Sequence, residues 1–231
     1  MTETSLHKTT MLPLTVGRFR NTDGGFTTLP FSLVEQDRAR RYALRVLNTF
    51  HFRTGSNILL TTTFDETLQF MPFERAVMTY GMVAVSADST PWDAKRVESI
   101  VRRFNLTAAA GICKNVVDGL SQLGFKAEEL FAGIPVWARQ DTYDSLKAFP
   151  DMRVYRYLEA GPLVGFECSQ GNGVHIDRFE WDIDEVDGEI VVSSRLPRCT
   201  EFSQFHTGLK GRIDRSACNC GNTDPRILPD Q

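Results

Sequence analysis

Thr107-Ala108-Ala109-Ala110-Gly111-Ile112 is the stretch on which the fold turns. It is a short apolar run bounded by polar residues, which reads as a buried strand. Residues 116–123 follow with helical spacing and stop at Gly124, and Ile134-Pro135-Val136-Trp137 is the next short strand. The same alternation extends outward. Upstream, Asn57-Ile58-Leu59-Leu60-Thr61-Thr62-Thr63 reads as a buried strand, residues 73–80 as a helix and Met82-Val83-Ala84-Val85 as a strand. Residues 93–104 form a helix capped from Thr90-Pro91. Downstream, residues 142–149 read as a helix and Met152-Arg153-Val154-Tyr155 as a strand. Strands alternating with helices over residues 55–157 imply βαβ units and a largely parallel sheet.

From Leu163 onward the pattern changes. Short strands at 163–167, 178–183, 188–194 and 210–214 have no helices between them, which implies an antiparallel sheet or small barrel. At the other end, residues 1–12 are polar and residues 21–30 form a loop rich in glycine and hydroxyls. Ser32 with Glu35 three residues on is a capping box. Leu33, Ala39, Ala43, Leu44 and Leu47 then recur at helical spacing. Arg38, Arg40, Arg41 and Arg45 occupy the other face, where solvent or acidic partners are expected. The expected organisation is an N-terminal tail over 1–19, an α/β subdomain over 20–160 and a small β-rich subdomain over 161–231.

Bulk properties narrow the function. The chain of 231 residues is long enough for a substantial core, and its 42% hydrophobic and 24% charged content is ordinary for a globular protein. A net charge of −3 gives no electrostatic reason to expect nucleic acid or an anionic membrane as partner. No apolar run approaches the roughly 20 residues that span a bilayer. Residues 1–8 lack the apolar core of a signal peptide, so a cytoplasmic protein is expected.

Five cysteines in such a compartment do not suggest disulfides. Cys168, Cys218 and Cys220 share the glycine-punctuated C-terminal region with His175. Three thiols and one imidazole match the ligand count of a closed, structural zinc site. Cys113 reads most simply as a small buried apolar residue, and Cys199 as a singleton.

An ordered set of residues carries a resemblance. Tyr155-Arg156-Tyr157-Leu158-Glu159 is followed by Gly161-Pro162, Glu167-Cys168 and Gly173-Val174-His175-Ile176. Asp187-Gly188-Glu189-Ile190-Val191-Val192-Ser193-Ser194, Phe205-His206-Thr207-Gly208 and Cys218-Asn219-Cys220-Gly221 complete it. In this order the residues resemble the phenylacetate–coenzyme A ligase branch of adenylate-forming enzymes. The resemblance implies the large domain of that superfamily without its C-terminal lid. It also implies an acyl pocket walled by residues such as Phe64, Phe70, Trp137 and Tyr155, with Asp65 at a strand end where ligands bind.

The chain departs from the family at its nucleotide contacts. The family's hydroxyl-rich phosphate loop maps onto residues 23–30, where Phe26 stands in for a hydroxyl. In the adenine turn Tyr155 and Glu159 remain, but Arg156 replaces glycine and Leu158 a hydroxyl residue. In the ribose motif Leu209 replaces the aspartate after Thr207-Gly208. The family's lid lysine has no matched position before Gln231. Each lost charge-assisted contact costs about 1.5–3 kcal/mol, so no ATP binding is expected. The functional expectation is chemistry on an aryl or acyl carboxylate or thioester. Glu159, His206 and Cys113 are the candidate acid, base and nucleophile. Two alternatives stand beside it: a non-catalytic partner subunit of a split ligase, and an ATP-dependent ligase. An uncovered cleft further implies a homodimer or heteromer.

Overall fold

The computed structural model describes residues 11–21, 25–63 and 66–230. Strands β1 (Thr15–Arg20) and β2 (Phe26–Phe31) pair antiparallel, with Thr15 opposite Phe31. A strand thus begins inside the stretch expected as a tail, and the expected loop becomes the second strand from Phe26 on. Phe19 and Leu29 are buried, and Phe19 meets Phe205 edge-on at 6.3 Å, which docks the hairpin on the rest of the molecule.

Helix α1 (Leu33–Asn48) starts at the capping box. The Ser32 N–H donates to Glu35 Oε2 at 2.8 Å, and the Glu35 N–H to Ser32 Oγ at 3.3 Å. Its buried stripe is Tyr42, Ala43, Val46 and Leu47, whereas Leu33 is 57% exposed. The basic face is paired with acids: Arg38 with Glu180, Arg40 and Arg41 with Asp37, and Arg45 with Asp177 and Asp224.

The parallel region runs β3 (Asn57–Thr61), α2 (Thr67–Tyr80), β4 (Val83–Ala87), α3 (Ala94–Arg103), β5 (Leu106–Ile112) and α4 (Lys114–Gln122). It continues with α5 (Ala127–Leu130), β6 (Pro135–Arg139), α6 (Tyr143–Lys147) and β7 (Arg153–Ala160). Helix α2 starts six residues before the expected Phe73 and holds Pro72 inside it, where a ladder N–H is missing. The β-rich region comprises β8 (Leu163–Glu167), β9 (Val174–His175), β10 (Trp181–Val186), β11 (Glu189–Ser194), β12 (Phe205–Asp214) and β13 (Arg226–Pro229). Strand β10 begins later than expected because residues 177–180 form a turn closed by Trp181 N–H to Asp177 O at 3.0 Å.

All but β1 and β2 join one eleven-stranded sheet, ordered β10-β11-β12-β13-β9-β8-β7-β6-β5-β3-β4. The strands β4, β3, β5, β6 and β7 pair parallel, and from β7–β8 onward every pairing is antiparallel. Both faces of the parallel half are covered, so its strands are apolar at both parities. Leu59, Ala109, Val136 and Val154 pack toward α3, α4 and α6. Ile58, Leu60, Ala108, Ala110, Trp137 and Tyr155 pack toward α1 and α2. Gly111, with φ of +84°, lies against α2: a Cβ there would strike the Thr61 carbonyl oxygen and approach Phe70 to 2.8 Å. A third core gathers Leu158, Leu163, Ile176, Ile190, Val192 and Ile227 under the antiparallel half. No helix among the described residues is long and apolar enough to cross a membrane.

Candidate active cleft and metal centre

The C-terminal ends of β3, β5, β6 and β7 open into a cleft of about 640 Å³. This is where ligands bind in open α/β sheets. The hairpin contributes Arg18 and Phe26 to one wall, and residues 207–210 of β12 form another. Its floor is an ion cluster. Arg139, the last residue of β6, donates to both oxygens of Glu66 at 2.6 Å each and stands 3.6 Å from Glu159. The Tyr157 hydroxyl donates to Glu159 Oε1 at 2.8 Å. Glu66 also accepts the Thr63 N–H at 3.0 Å, which fixes the start of α2. Burial opposes the Glu66 charge, but Arg139 outweighs it and holds the carboxyl below the usual range. Burial and the Glu159 carboxylate push the Tyr157 hydroxyl well above its ordinary value, so it stays a donor at neutral pH.

The candidate residues scatter around this floor. Glu159 and Cys113 line the cleft. Cys113 is 6% exposed, donates to the Ser89 carbonyl at 3.5 Å and has its thiol pKa raised by burial, so it is a neutral thiol. His206 lies outside the cleft lining; its side chain is 60% exposed, with Nδ1 3.3 Å from Glu189. Trp137 and Tyr155 are core aromatics rather than cleft walls. Trp137 is fully buried and donates to the Glu167 carbonyl at 2.9 Å, and Tyr155 packs on Phe50 with ring centroids 4.9 Å apart. Phe64 and Asp65 fall outside the described residues. Sequence reasoning placed Glu66, beside Asp65, at a ligand-binding strand end or in a surface loop, and missed the roles of Arg139 and Tyr157. The available signal was an arginine closing an apolar strand, at the end where such sheets bind ligands.

Two positions expected from the resemblance to meet nucleotide or magnesium have partners within the chain. The carboxylate of Glu159 already meets a hydroxyl and a guanidinium. Leu209, where a ribose-binding carboxylate would stand, is 7% exposed and belongs to the third core.

The metal ligands do converge. The donor atoms of Cys168, His175, Cys218 and Cys220 all lie within 4.8 Å of one another. Around a tetrahedral zinc, with bonds of about 2.3 Å to sulfur and 2.0–2.1 Å to nitrogen, two sulfurs stand about 3.8 Å apart and a sulfur and a nitrogen about 3.6 Å. The Cys168–Cys218 separation is 3.7 Å and the Cys220–His175 Nε2 separation 3.5 Å. Sulfurs 3.7 Å apart are not a disulfide, whose bond is about 2.05 Å. His175 Nδ1 is 3.0 Å from the Asp224 carbonyl, which orients the ring with Nε2 toward the sulfurs. Without a cation, burial and the neighbouring thiols push Cys168 up to about 12. Burial also opposes ionisation of Cys218, but the Cys220 N–H and the adjacent thiols outweigh it and lower its pKa. The site is anchored to α1. Tyr42 donates to the His175 carbonyl at 2.5 Å, and Arg45 grips the Asp224 carboxylate at 3.0 Å.

No family model matches the sequence, and no curated protein matches it significantly. Solved structures do match. An open-conformation 2-hydroxyisobutyryl-CoA ligase in complex with 2-HIB-AMP and CoA superposes with a TM-score of 0.71 over 93% of this chain and 56% of the ligase, at 13% identity. The O-succinylbenzoate coenzyme A synthetase of Bacillus subtilis, in complex with AMP, gives 0.55 over 95% and 50%, also at 13% identity. The fold is that of adenylate-forming CoA ligases. The chain spans about half the length of these structures, 50–56% of each. The likeness covers both halves of the sheet and accords with the expected α/β architecture.

Proposed function

We propose that the cleft binds an aryl or acyl carboxylate, or its thioester, and works on it without ATP. The observation that carries this reading is the Glu66–Arg139–Glu159 cluster with the Tyr157 hydroxyl. It puts a fixed guanidinium where the resembled enzymes use their glutamate to hold magnesium. Phe26 and Leu209 at two further contact positions support the same reading. Of the candidate catalytic residues, Glu159 is the one we propose as acid or base, because it lines the cleft and meets the Tyr157 hydroxyl. Cys113 would act only after losing its proton in a buried setting, and His206 would need to turn inward from the rim. The branch assignment to phenylacetate–CoA ligase relatives belongs to this proposal and rests on the ordered motifs of residues 155–221.

A second reading has its own support. The matched ligases were solved with 2-HIB-AMP or AMP, so an ATP-dependent ligase on the same fold is consistent with the likeness. One assay separates the two. Pyrophosphate release with ATP and a panel of aryl and acyl acids establishes the second. Calorimetric binding of an acid or thioester, with ATP affinity no tighter than about millimolar (about −4 kcal/mol), establishes the first. Micromolar ATP binding would overturn it.

We further propose that Cys168, His175, Cys218 and Cys220 hold one structural zinc. Four protein donors leave no open position for water, so the ion would staple the fold and take no part in chemistry. The proposed quaternary state is a homodimer or heteromer that covers the cleft; a monomer in light scattering at micromolar concentration would refute it.

A further inference from the structure

Three guanidiniums line a surface pocket beside the loop that carries Asp224. Arg178 lies in the turn before β10, Arg195 directly follows β11 and Arg215 directly follows β12. With Asp182 of β10, Trp181 and Thr223 they line a space of about 170 Å³, which shares no lining residue with the cleft. A charge run on one helix would be an ordinary solvated face. These arginines come from three separate segments of a chain whose net charge is −3.

Their existing partners leave capacity unused. Arg178 is 3.8 Å from Asp224, a carboxylate that Arg45 holds more closely. Arg215 donates to the Ile183 carbonyl at 2.5 Å and is 3.5 Å from Asp184, which is 72% exposed. The Arg195 backbone N–H is fixed on the Glu180 carbonyl at 2.9 Å. Among the described residues its guanidinium has no hydrogen bond or ion pair, and Asp182 forms no ion pair with any of the three arginines. Asp224 and Asp184 offset part of the charge of Arg178 and Arg215, and an oxyanion between the three guanidiniums would offset the rest. Guanidinium forks match tetrahedral oxyanions by paired N–H bonds.

Asp182, the lining carboxylate that none of the three arginines holds, selects among oxyanions. Asp182 repels a fully ionised anion but accepts the O–H of one that keeps a proton. We propose that this pocket binds phosphate in a protonated form, with Arg178, Arg195 and Arg215 as donors and Asp182 as acceptor of the phosphate proton. Sulfate, which carries no proton near neutral pH, is discriminated against.

The test is a phosphorus-NMR line-width titration of the full chain with inorganic phosphate at pH 7 and constant ionic strength. Competition by sulfate and by glycerol 2-phosphate forms the other arms. Saturable broadening is expected, with sulfate displacing phosphate only at concentrations at least tenfold above those at which phosphate itself saturates the site. Arg195→Gln should weaken phosphate at least tenfold; its side chain has no partner to lose, so the fold should persist, as circular dichroism would check. Asp182→Asn should remove the preference over sulfate. Equal competition by glycerol 2-phosphate makes the ligand a phosphate monoester, and its failure to compete makes it the free ion. Either result supports the pocket. Chloride-like behaviour of phosphate, sulfate competing as well as phosphate, or Arg195→Gln binding as tightly as wild type would overturn it.

Discussion

Arg139→Gln removes the cation that two carboxylates share. In the wild type Arg139 makes two 2.6 Å bonds to Glu66 and stands 3.6 Å from Glu159. Its side chain is 13% exposed, and those of Glu66 and Glu159 are 21% and 20%. Breaking a buried pair on one side costs about 3–5 kcal/mol. The partial water access of both acids points to the lower end, about 3 kcal/mol. For a domain of this size each kcal/mol moves Tm by about 2–4 °C, so Tm should fall by about 6–12 °C at pH 7. The effect should depend on pH with a definite sign. Glu66 has its folded pKa below the ordinary 4.5, because Arg139 outweighs its burial. A depressed carboxylate contributes stability above its unfolded pKa and loses it as pH falls through the folded one. In the variant Glu66 loses the guanidinium that offsets its burial, so its pKa rises and it protonates at little cost. The gap between the two proteins should therefore be full at pH 7 and close below about pH 4.5. Scanning calorimetry from pH 7 to 3.5 reads it. An unchanged gap at pH 4 would show that Arg139 matters through packing and not charge.

Three further outcomes are expected. Protein prepared without chelator should carry one zinc per chain, and a chelator or Cys220→Ser should lower Tm by about 5–11 °C if free zinc stood at 100 times its dissociation constant, a linkage of about 2.7 kcal/mol; metal analysis that finds no zinc would refute the centre. Gly111→Ala should destabilise by about 2–4 kcal/mol in urea, since it combines a left-handed backbone with overpacking against Thr61 and Phe70; a change under 1 kcal/mol would mean the strand end can shift. Tyr42→Phe should cost about 1–3 kcal/mol, because its hydroxyl joins the His175 carbonyl at 2.5 Å to the Phe166 N–H at 3.0 Å; an unaltered urea midpoint would place water there instead.

The parallel half was legible because its strands are near-continuous apolar runs separated by segments of helical spacing, although the cap expected from Thr90-Pro91 makes no side-chain hydrogen bond. Strands β9 and β13 were not: two and four residues are too few to show a period. The metal cluster was readable because thiols and imidazole declare their chemistry at any separation. The cleft was readable only in part. Glu66 and Arg139 are 73 residues apart, and nothing local announces their bond. Tyr155, Tyr157 and Glu159 share a strand face, so parity could not separate them. Height along the strand does. Tyr155 sits level with Trp137, while β6 ends at Arg139 opposite Tyr157, and only Glu159 overhangs the end. His206 was separable by alternation, since Thr207, Leu209 and Gly211 are the inward residues of β12.

Strand β13 is a seam. It pairs with β12 on one side and β9 on the other, and no other described pairing joins the β10–β12 meander to the rest of the sheet. During synthesis the parallel half can close early on its local βαβ contacts. The meander must wait for residues 226–229, and Cys218 and Cys220 leave the ribosome just before them. Sheet closure and capture of the proposed zinc would therefore fall in one late step. A cell short of the metal would collect chains finished in one half and open at the seam. We expect limited proteolysis of metal-depleted protein to cut first between residues 195 and 225, and cuts confined to the parallel half would count against this order of assembly.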